Sequence, residues 1–314
     1  MSAVVHLGDC LEVMRGMADN SVDLICTDPP YFRVKMDEAW DRQWQNPAAF
    51  LAWLDTVLAE FQRILKPNGS LYVFASPQMA ARVEVLTSER FNVLNHIVWR
   101  KEAGRHASSE KEALRGYFPQ TERVIFAEHF GAADISPIGS AICQARQQTG
   151  LKATDIDVAL GYVRTKDPTR GTELCRRWEE GSSIPSEADF SRAFAAMSQP
   201  APQYEDLRRE YEDLRRPFAV TPHVPHTDVW DFPTVGAYDG KHPCEKPLSL
   251  LEHIITASSR PGAVVFDAFT GSGAIGQAAV KLGREFIGAE IDPHWQRRAT
   301  RRVANAQPAL LEIR

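Results

Sequence analysis

The sequence lacks the features of exported, membrane-spanning and zinc-binding proteins. Its five cysteines are scattered over 314 residues without a Cys-x-x-Cys pair, so neither a disulfide framework nor a zinc site is predicted. No apolar run is long enough to span a bilayer. The first ten residues lack the basic region and apolar core of an export signal. We therefore expect a reduced, cytoplasmic protein without a metal ion or a membrane partner.

A basic charge balance is missing too. The net charge is −5, whereas proteins that bind nucleic acid over much of their surface are usually basic. A local patch would be enough, because phosphate contacts need only a few cations. One such run contains Arg100, Lys101, Arg105, Lys111 and Arg115. Glutamates are interspersed in this run, and by itself the pattern favours a solvated loop.

Strand and helix patterns alternate along most of the chain. They occupy residues 4–128 and return from residue 225, whereas the segment between them is helical and polar. Alternating strands and helices predict an α/β fold, a parallel sheet with helices on both faces. We therefore predict one domain from residues 1–130 and 221–314, with residues 131–220 as a mainly helical insertion.

The insertion contains one internal repeat, "YEDLRRE" followed by "YEDLRRP". Its apolar residues, Tyr204, Leu207, Tyr211 and Leu214, recur at heptad spacing on one helical stripe. Two heptads are too few for an independent coiled coil. The stripe predicts either a helix docked on the body of the protein or a helix paired with its copy in a homodimer.

A glycine-rich loop, "FDAFTGSGAIG", follows a predicted strand and begins a helix. Gly271, Gly273 and Gly276 match the dinucleotide fingerprint, and Glu290 ends the next strand. The pattern suits NAD or S-adenosyl-L-methionine (AdoMet), and a tight turn with packing glycines is the alternative. Asp267 favours AdoMet, because a carboxylate attracts its cationic methionine end but repels a pyrophosphate.

The stretch "CTDPPYF" ends another predicted strand in an unusual way. The two prolines restrict the backbone and offer no N–H group, so this rigid tip presents only acceptors. Ligands bind at this end of strands in open α/β sheets. The Asp28 carboxylate, a backbone carbonyl and the Tyr31 ring together suit an exocyclic amino group on an aromatic base. A proline-rich turn with an incidental acid fits these residues equally well.

Together, "TDPPYF" and "FDAFTGSG" resemble the AdoMet-dependent DNA amino methyltransferases. The catalytic motif precedes the AdoMet loop, which resembles the permuted order of the β group. "HPCEKP", "GDCLEVM" and "DVWDFP" match that group as well. The resemblance covers about residues 4–130 and 226–306. It implies a Rossmann-like methyltransferase sheet with a circularly permuted motif order, a target-recognition region in the insertion and, frequently, a homodimer.

The resemblance also implies residue roles. The catalytic tip that binds the target amino group and stacks on the flipped base would be Asp28, Pro29, Pro30 and Tyr31. The AdoMet-binding residues would be Asp9, Cys10, Lys246, Asp267, Phe269, Thr270, Gly271, Ser272, Gly273 and Glu290, with Lys246 near the methionine carboxylate. The basic run that begins at Arg100 becomes a candidate DNA-binding surface.

Three functions remain at this point. The sequence favours transfer of a methyl group to adenine N6 in double-stranded DNA, because "DPPY" is commonest among such enzymes; cytosine N4 is the alternative. A nicotinamide-dependent oxidoreductase would leave "DPPY" and "HPCEKP" without a role. An inactive DNA-binding regulator is disfavoured by the intact Asp28 and Asp267.

The insertion has a resemblance of its own. "RRWEEGSSIPS" resembles the segment after the recognition helix of repressor-type helix-turn-helix domains, which predicts that Arg170, Arg176 and Arg177 lie on or near a groove-reading helix and are candidates for DNA contact. The preceding connection, "VRTKDPTRGT", is much longer than the usual turn. A purely structural helical subdomain, with Trp178, Phe190 and Phe194 in its core, is the alternative.

Overall fold

The computed structural model describes residues 2–32, 34, 39–101, 117, 120–132, 136–219 and 227–306. The chain divides into two compact units, a larger one from Met1–Phe130 and Pro217–Arg314 and a smaller one from Gly131–Arg216. Among the helices in the described ranges, none is both long and apolar enough to cross a membrane.

The secondary structure alternates as the sequence predicts. The described strands are β1 (Ala3–Leu7), β2 (Val22–Thr27), β3 (Leu65–Ala75), β4 (Asn92–Arg100), β5 (Thr121–Glu128), β6 (Val163–Arg164), β7 (Asp167–Gly171), β8 (Val229–Asp231), β9 (Val264–Asp267) and β10 (Glu285–Glu290). The described α-helices are α1 (Cys10–Arg15), α2 (Pro47–Ile64), α3 (Ala80–Ser88), α4 (Pro137–Thr149), α5 (Ala153–Leu160), α6 (Leu174–Glu179), α7 (Glu187–Ala196), α8 (Tyr204–Leu214), α9 (Leu248–Ser258), α10 (Ala274–Lys281) and α11 (Pro293–Ala304).

Eight strands of the larger unit form one sheet in the order β1-β10-β9-β2-β3-β5-β4-β8. The prediction of a parallel sheet is wrong for β5, which is antiparallel to both β3 and β4, whereas the other neighbouring pairs are parallel. A parallel neighbour requires a long crossover, usually helical. The strand patterns "NVLNHIVW" and "TERVIFAEH" follow each other in the sequence, and consecutive strands can pair antiparallel. The fold is therefore a mixed α/β sheet.

Helices cover both faces of this sheet. Apolar residues of α9, α10 and α11 pack in one core cluster, and those of α1, α2 and α3 pack in another. Strand β2 contributes to both, with Leu24 and Cys26 in the first cluster and Ile25 in the second. Successive side chains of a strand point to opposite faces, so a central strand buried on both sides reads as a continuous apolar run.

Helix α2 shows how the sequence sets an element boundary. The Asn46 side chain accepts a hydrogen bond from the backbone N–H of Ala49 at 2.9 Å, and Pro47 occupies the first turn. Asn followed by Pro is a helix-start pattern in the sequence, and α2 begins at that point. The helix ends at Ile64, and β3 begins at the next residue, so the "KPNG" stretch lies inside the strand.

In the described residues of the smaller unit there are five α-helices and one β-hairpin. The long "VRTKDPTRGT" connection forms the antiparallel strands β6 and β7, so the prediction that strands vanish in this segment is wrong. Trp178, Phe190 and Phe194 lie in the core of the unit. Asp157 is buried and accepts hydrogen bonds from the backbone N–H groups of Leu174 and Cys175, at 3.0 and 2.8 Å, which caps α6.

The apolar stripe of the "YEDLRR" repeat lies on α8. Tyr204, Leu207 and Tyr211 are partly buried against the core of the smaller unit, and the Tyr204 ring centroid lies 5.3 Å from that of Phe190. Leu214 is 39% exposed. Most of the stripe therefore docks α8 on its own unit, which is one of the two arrangements predicted from the repeat.

Candidate active site

Four parallel strands deliver acidic residues to one edge of the sheet. Strands β1, β10, β9 and β2 are consecutive neighbours, so their carboxyl ends lie side by side. A cavity of about 180 Å³ opens at this edge. The predicted site residues among its lining are Asp9, Cys10, Asp28, Pro29, Pro30, Tyr31, Lys246, Asp267, Phe269, Thr270, Gly271, Ser272 and Glu290. The structure thus brings the two predicted motif groups together in one cavity.

Asp267, at the end of β9, has one oxygen bound and one free for a ligand. Its Oδ1 atom accepts hydrogen bonds from the Thr27 hydroxyl at 2.8 Å and from the backbone N–H of Phe269 at 3.1 Å. Its Oδ2 atom is buried and has no hydrogen-bond partner in the described structure. Burial raises the pKa of this carboxyl to about 7. A cationic ligand group could donate a hydrogen bond to the free Oδ2 atom and neutralise the negative charge of the carboxylate.

The glycine loop depends on backbone conformations that favour glycine. Gly271 and Gly273 have φ angles of 49° and 79°. Gly273 does not line the cavity; a Cβ atom there would lie 2.8 Å from the Cα atom of Ala299, so this glycine permits close helix packing. The Glu290 carboxylate accepts hydrogen bonds from the backbone N–H groups of Gly271 and Asp292, at 2.7 and 2.9 Å. Glu290 therefore holds the loop and also lines the cavity.

Asp41 fixes the loop that follows the two prolines. Its carboxylate accepts hydrogen bonds from the backbone N–H groups of Tyr31 and Val34, both at 2.7 Å. Phe32 between them has a φ of 58°, a conformation that side-chain-bearing residues rarely adopt. Asp41 was missed by sequence reasoning, because no spacing pattern links it to the "DPPY" motif.

Asp28 forms a buried ion pair with Lys246. Its Oδ2 atom contacts the Lys246 ammonium, and its Oδ1 atom is buried without a hydrogen-bond partner in the described structure. Burial raises the pKa of Asp28, and the ammonium acts in the opposite direction. Burial alone would lower the pKa of Lys246, but Asp28 and Glu122 outweigh it and raise that pKa. The role predicted for Lys246 at the methionine carboxylate stays a prediction, since its contacts here are with two other carboxylates.

Glu122 is the most important site residue that sequence reasoning missed. It lies on β5, where its Oε2 atom accepts a hydrogen bond from the Tyr31 hydroxyl at 2.9 Å and lies 3.4 Å from Lys246 Nζ. Its Oε1 atom pairs with the Lys101 ammonium. Burial raises its pKa, but the two ammonium groups outweigh burial and hold it below the ordinary value. The sequence feature that could have indicated Glu122 is a carboxylate within the apolar strand pattern "TERVIFAEH".

Aromatic side chains form part of the cavity wall. Trp40 stacks on His242 with ring centroids 6.5 Å apart, and Trp295 meets the same imidazole edge-on at 4.5 Å. Trp53 and Phe269 lie 5.7 Å apart and also line the cavity. Burial lowers the pKa of His242 to about 4, so its ring is neutral at pH 7. These planar groups suit a flat heteroaromatic ligand.

The candidate DNA-binding residues of the larger unit are partly engaged in ion pairs. Arg100 makes a two-bond contact with Asp231, at 2.5 and 2.6 Å, and both side chains are exposed. Lys101 pairs with Glu122. The remaining candidates in this run lie outside the described residues; these are Arg105, Lys111 and Arg115. DNA contact by this segment stays a prediction.

The two arginines of α6 differ in their surroundings. Arg176 lies 3.5 Å from Glu173 and 3.6 Å from Glu180, and it is exposed. Arg177 is also exposed, and among the described residues no carboxylate forms an ion pair with it.

In the described part of the chain, no group of three His, Cys, Asp or Glu residues has the arrangement of metal ligands.

Two methyltransferases resemble this chain in sequence along most of its length. DNA adenine methyltransferase YhdJ of Escherichia coli K12 is 29% identical over 304 residues, which cover 96% of this chain and 82% of that protein. Type II methyltransferase M2.MboI of Moraxella bovis is 24% identical and is covered to 89%, with 98% of this chain aligned.

Solved structures share the fold. TTHA0409 of Thermus thermophilus, in complex with S-adenosyl-L-methionine, aligns with a TM-score of 0.53 at 21% identity, over 98% of this chain and 95% of that one. The cytosine-N4-specific PvuII DNA methyltransferase aligns with a TM-score of 0.56 at 16% identity, over 96% and 86% of the two chains.

The sheet, with the cavity at its carboxyl edge, shares the Rossmann-like fold of these solved structures, which confirms the predicted fold class. The family model described as DNA methylase, N6_N4_Mtase, matches residues 22–301, and the chain belongs to this family. The family resemblance predicted from the motifs is thereby confirmed. Nothing in these matches supports a nicotinamide-dependent oxidoreductase.

Proposed function

We propose that this DNA methylase transfers a methyl group from AdoMet to the N6 amino group of an adenine flipped out of double-stranded DNA. One observation carries the proposal: Asp28 and Asp267 line the same cavity, and each has a buried oxygen without a partner in the described structure. Buried polar atoms are normally hydrogen-bonded. Two such atoms in one cavity indicate two ligand groups that donate hydrogen bonds.

The residues around Asp267 fit AdoMet. The Oδ2 atom of Asp267 would accept from the methionine amino group, and its negative charge suits that cationic end. The Glu290 oxygens each hold one backbone N–H, and a carboxylate oxygen can accept a second bond, here from a ribose hydroxyl. Asp9 and Cys10, at the start of α1, would contact the adenine ring. Bound AdoMet supplies an electrophilic methyl group on a sulfonium.

The residues around Asp28 fit an exocyclic amino group. Asp28 Oδ1 and the carbonyl of Pro29 would accept its two N–H bonds, and the Tyr31 ring would stack on the base. These bonds favour a pyramidal nitrogen whose lone pair is available for attack, since in the free base that lone pair is delocalised into the ring. Most of the rate enhancement then comes from positioning two reactants. Flipping the base costs about a few kcal/mol, which stacking and pocket hydrogen bonds offset.

Adenine is favoured over cytosine by two observations. The first residue of the "DPPY" motif is Asp28, as in most adenine-N6 enzymes that the motif resembles. The E. coli relative is a DNA adenine methyltransferase. The fold does not discriminate, because the PvuII enzyme, which is cytosine-N4-specific, shares it.

Purified protein incubated with double-stranded DNA and methyl-labelled AdoMet tests the proposal directly. Digestion to nucleosides and mass spectrometry should show labelled N6-methyladenine. Labelled N4-methylcytosine would establish the alternative base instead. The absence of any labelled nucleoside, with DNA and AdoMet both bound, would favour the inactive regulator and contradict the proposal.

The smaller unit is proposed as the target-recognition region. It lies between the catalytic motif and the glycine loop in the chain, and α6 presents the exposed Arg176 and Arg177. We further propose a homodimer, as is common in the β group that the sequence resembles. We also propose a cytoplasmic location, where the enzyme would act on the DNA of the cell.

A further inference from the structure

Glu122 connects two parts of the proposed catalytic tip. Its side chain is 13% exposed, and both of its oxygens are occupied. One oxygen accepts from the Tyr31 hydroxyl at 2.9 Å and lies 3.4 Å from Lys246 Nζ, and the other pairs with Lys101. The same Lys246 ammonium contacts Asp28 Oδ2. One carboxylate therefore contacts both the base-stacking tyrosine and the partner of the amine-binding aspartate.

Stability alone does not account for a carboxylate at this position. A neutral acceptor would satisfy the Tyr31 hydroxyl, and a buried ion pair is often no more stabilising than apolar residues of similar size. A second negative charge also raises the pKa of the neighbouring Asp28, which opposes its ionised form. Two positive and two negative charges meet in this cluster. The ammonium groups of Lys246 and Lys101 face the carboxylates of Asp28 and Glu122.

We infer that Glu122 is a positioning residue for methyl transfer, which holds the Tyr31 ring through its hydroxyl and keeps the Lys246 ammonium on Asp28 Oδ2. Asp28 Oδ1 is then left free and fixed in direction for the target amino group. Glu122 itself touches neither reactant in this scheme. The inference rests on the proposed function, because Asp28 and Tyr31 have no amino group to position unless a base is methylated.

Glu122→Gln is the informative variant. Its amide oxygen can still accept from the Tyr31 hydroxyl, but the negative charge beside Lys246 is lost. We expect kcat to fall by about 10²-fold, the size of effect that a small misplacement of reacting groups produces. The KM values for AdoMet and DNA should change by less than about threefold. Glu128→Gln is the matched control, a buried carboxylate at the other end of β5, and should retain the wild-type rate.

The pH profile of kcat separates positioning from a structural role. The ionisable groups around Asp28 are Lys246, Glu122, Tyr31, Cys26 and Asp267. Removing the Glu122 charge lowers the pKa of Asp28, because the repulsion between the two carboxylates ends. The acid limb of the Glu122→Gln profile should therefore move to lower pH while the plateau falls.

Five outcomes decide the matter. A low plateau with a shifted acid limb supports the inference. A Glu122→Gln rate within about twofold of wild type, or a low plateau with an unshifted limb, overturns it. Equal losses in Glu122→Gln and Glu128→Gln, with weakened AdoMet binding in both, would mean that the carboxylate only supports the fold and would overturn it as well. A wild-type enzyme that methylates no DNA would overturn the proposed function, and the inference with it.

Discussion

Thr27 and Asp267 lie 240 positions apart in the chain, yet the hydroxyl of the first donates a hydrogen bond to Oδ1 of the second at 2.8 Å in the buried interior. The two residues end the neighbouring parallel strands β2 and β9. Asp28 follows Thr27 directly, so this bond fixes the separation of the two carboxylates that line the cavity.

Asp28→Ala should abolish most of the methyl transfer and leave binding intact. If Asp28 Oδ1 accepts from the target amino group, its contribution is largest in the transition state, and kcat should fall by about 10²- to 10³-fold. AdoMet affinity should survive, and DNA affinity should survive because phosphate contacts dominate it. Calorimetry, a gel shift and a methyl-transfer assay check this, with the exposed Asp206→Ala as control. A fully active Asp28→Ala enzyme would contradict the catalytic role of Asp28 and would mean that the two prolines only form a turn.

AdoMet affinity should depend on pH through Asp267. Its folded-state pKa is about 7, raised by burial from an ordinary value of 3.8, so a proton must leave before the carboxylate can bind a cationic amino group. Affinity should fall by up to about tenfold per pH unit below 7 and level off above it. Calorimetric titrations between pH 5.5 and 8.5, with proton release measured from buffer dependence, test this expectation. Asp267→Asn should bind more weakly and without this pH dependence.

The Asp267 carboxyl should also make the stability of the protein without AdoMet depend on pH. Because the folded-state pKa is raised, the folded state holds a proton that the unfolded state lacks between about pH 4 and 7. The contribution of Asp267 to stability is therefore greatest below that window and is lost as the pH rises through it. Asp267→Asn should unfold at a higher temperature than wild type at pH 8 and lose that advantage at pH 4. An advantage of equal size at both pH values would contradict this assignment.

Lys246→Met should destabilise the protein strongly. Two buried carboxylates, Asp28 and Glu122, would lose a shared counter-charge, and breaking a buried pair costs about 3–5 kcal/mol. Without the ammonium their folded-state pKa values rise, so the loss should be greatest at pH 8 and smaller at pH 5, where protonation relieves the repulsion. Urea unfolding at both pH values measures it. Lys281→Met, which breaks an exposed pair with Glu252, should cost less than about 1 kcal/mol.

Arg177→Ala should weaken DNA binding more than Arg176→Ala. Arg176 already lies near two glutamates, whereas Arg177 is exposed without an ion pair among the described residues. A lost phosphate contact should reduce the salt slope of the affinity by about one, and a lost base contact should blur the preferred site. Arg209→Ala on α8 is the control. Unchanged sites, rates and salt slopes would mean that the smaller unit is structural.

Light scattering at micromolar concentration should give a dimer, twice the chain mass of 35.1 kDa. Tyr204, Leu207 and Tyr211 pack within their own unit, so Leu214, which is 39% exposed, is the residue of the stripe most accessible to a partner. Leu214→Glu should dissociate the dimer if α8 forms its interface. A dimer that persists places the interface elsewhere, and a monomer with and without DNA makes the prediction of a homodimer wrong.

Short-range features of the fold were readable from the sequence. The apolar run of β2, the Asn46 cap of α2 and the glycine loop after β9 depend on neighbouring residues, and local side-chain and backbone preferences are sufficient to specify them. The direction of β5 was not readable, because strand pairing depends on which distant edge is available. Asp41 and Glu122 were missed for a related reason, since both act on Tyr31 from elements whose positions no local pattern encodes.

The sequence by itself determined the family, through separated motifs in permuted order, and it determined which residues end the strands at the cavity. Only the tertiary structure decided how those residues are paired. Lys246 lies 218 positions from Asp28, and Glu122 lies 91 positions from Tyr31, yet their side chains meet in a buried cluster. The physical reason is that opposite charges attract strongly only when packing holds them close together and away from water. Which side chains come together depends on the packing of the whole folded chain.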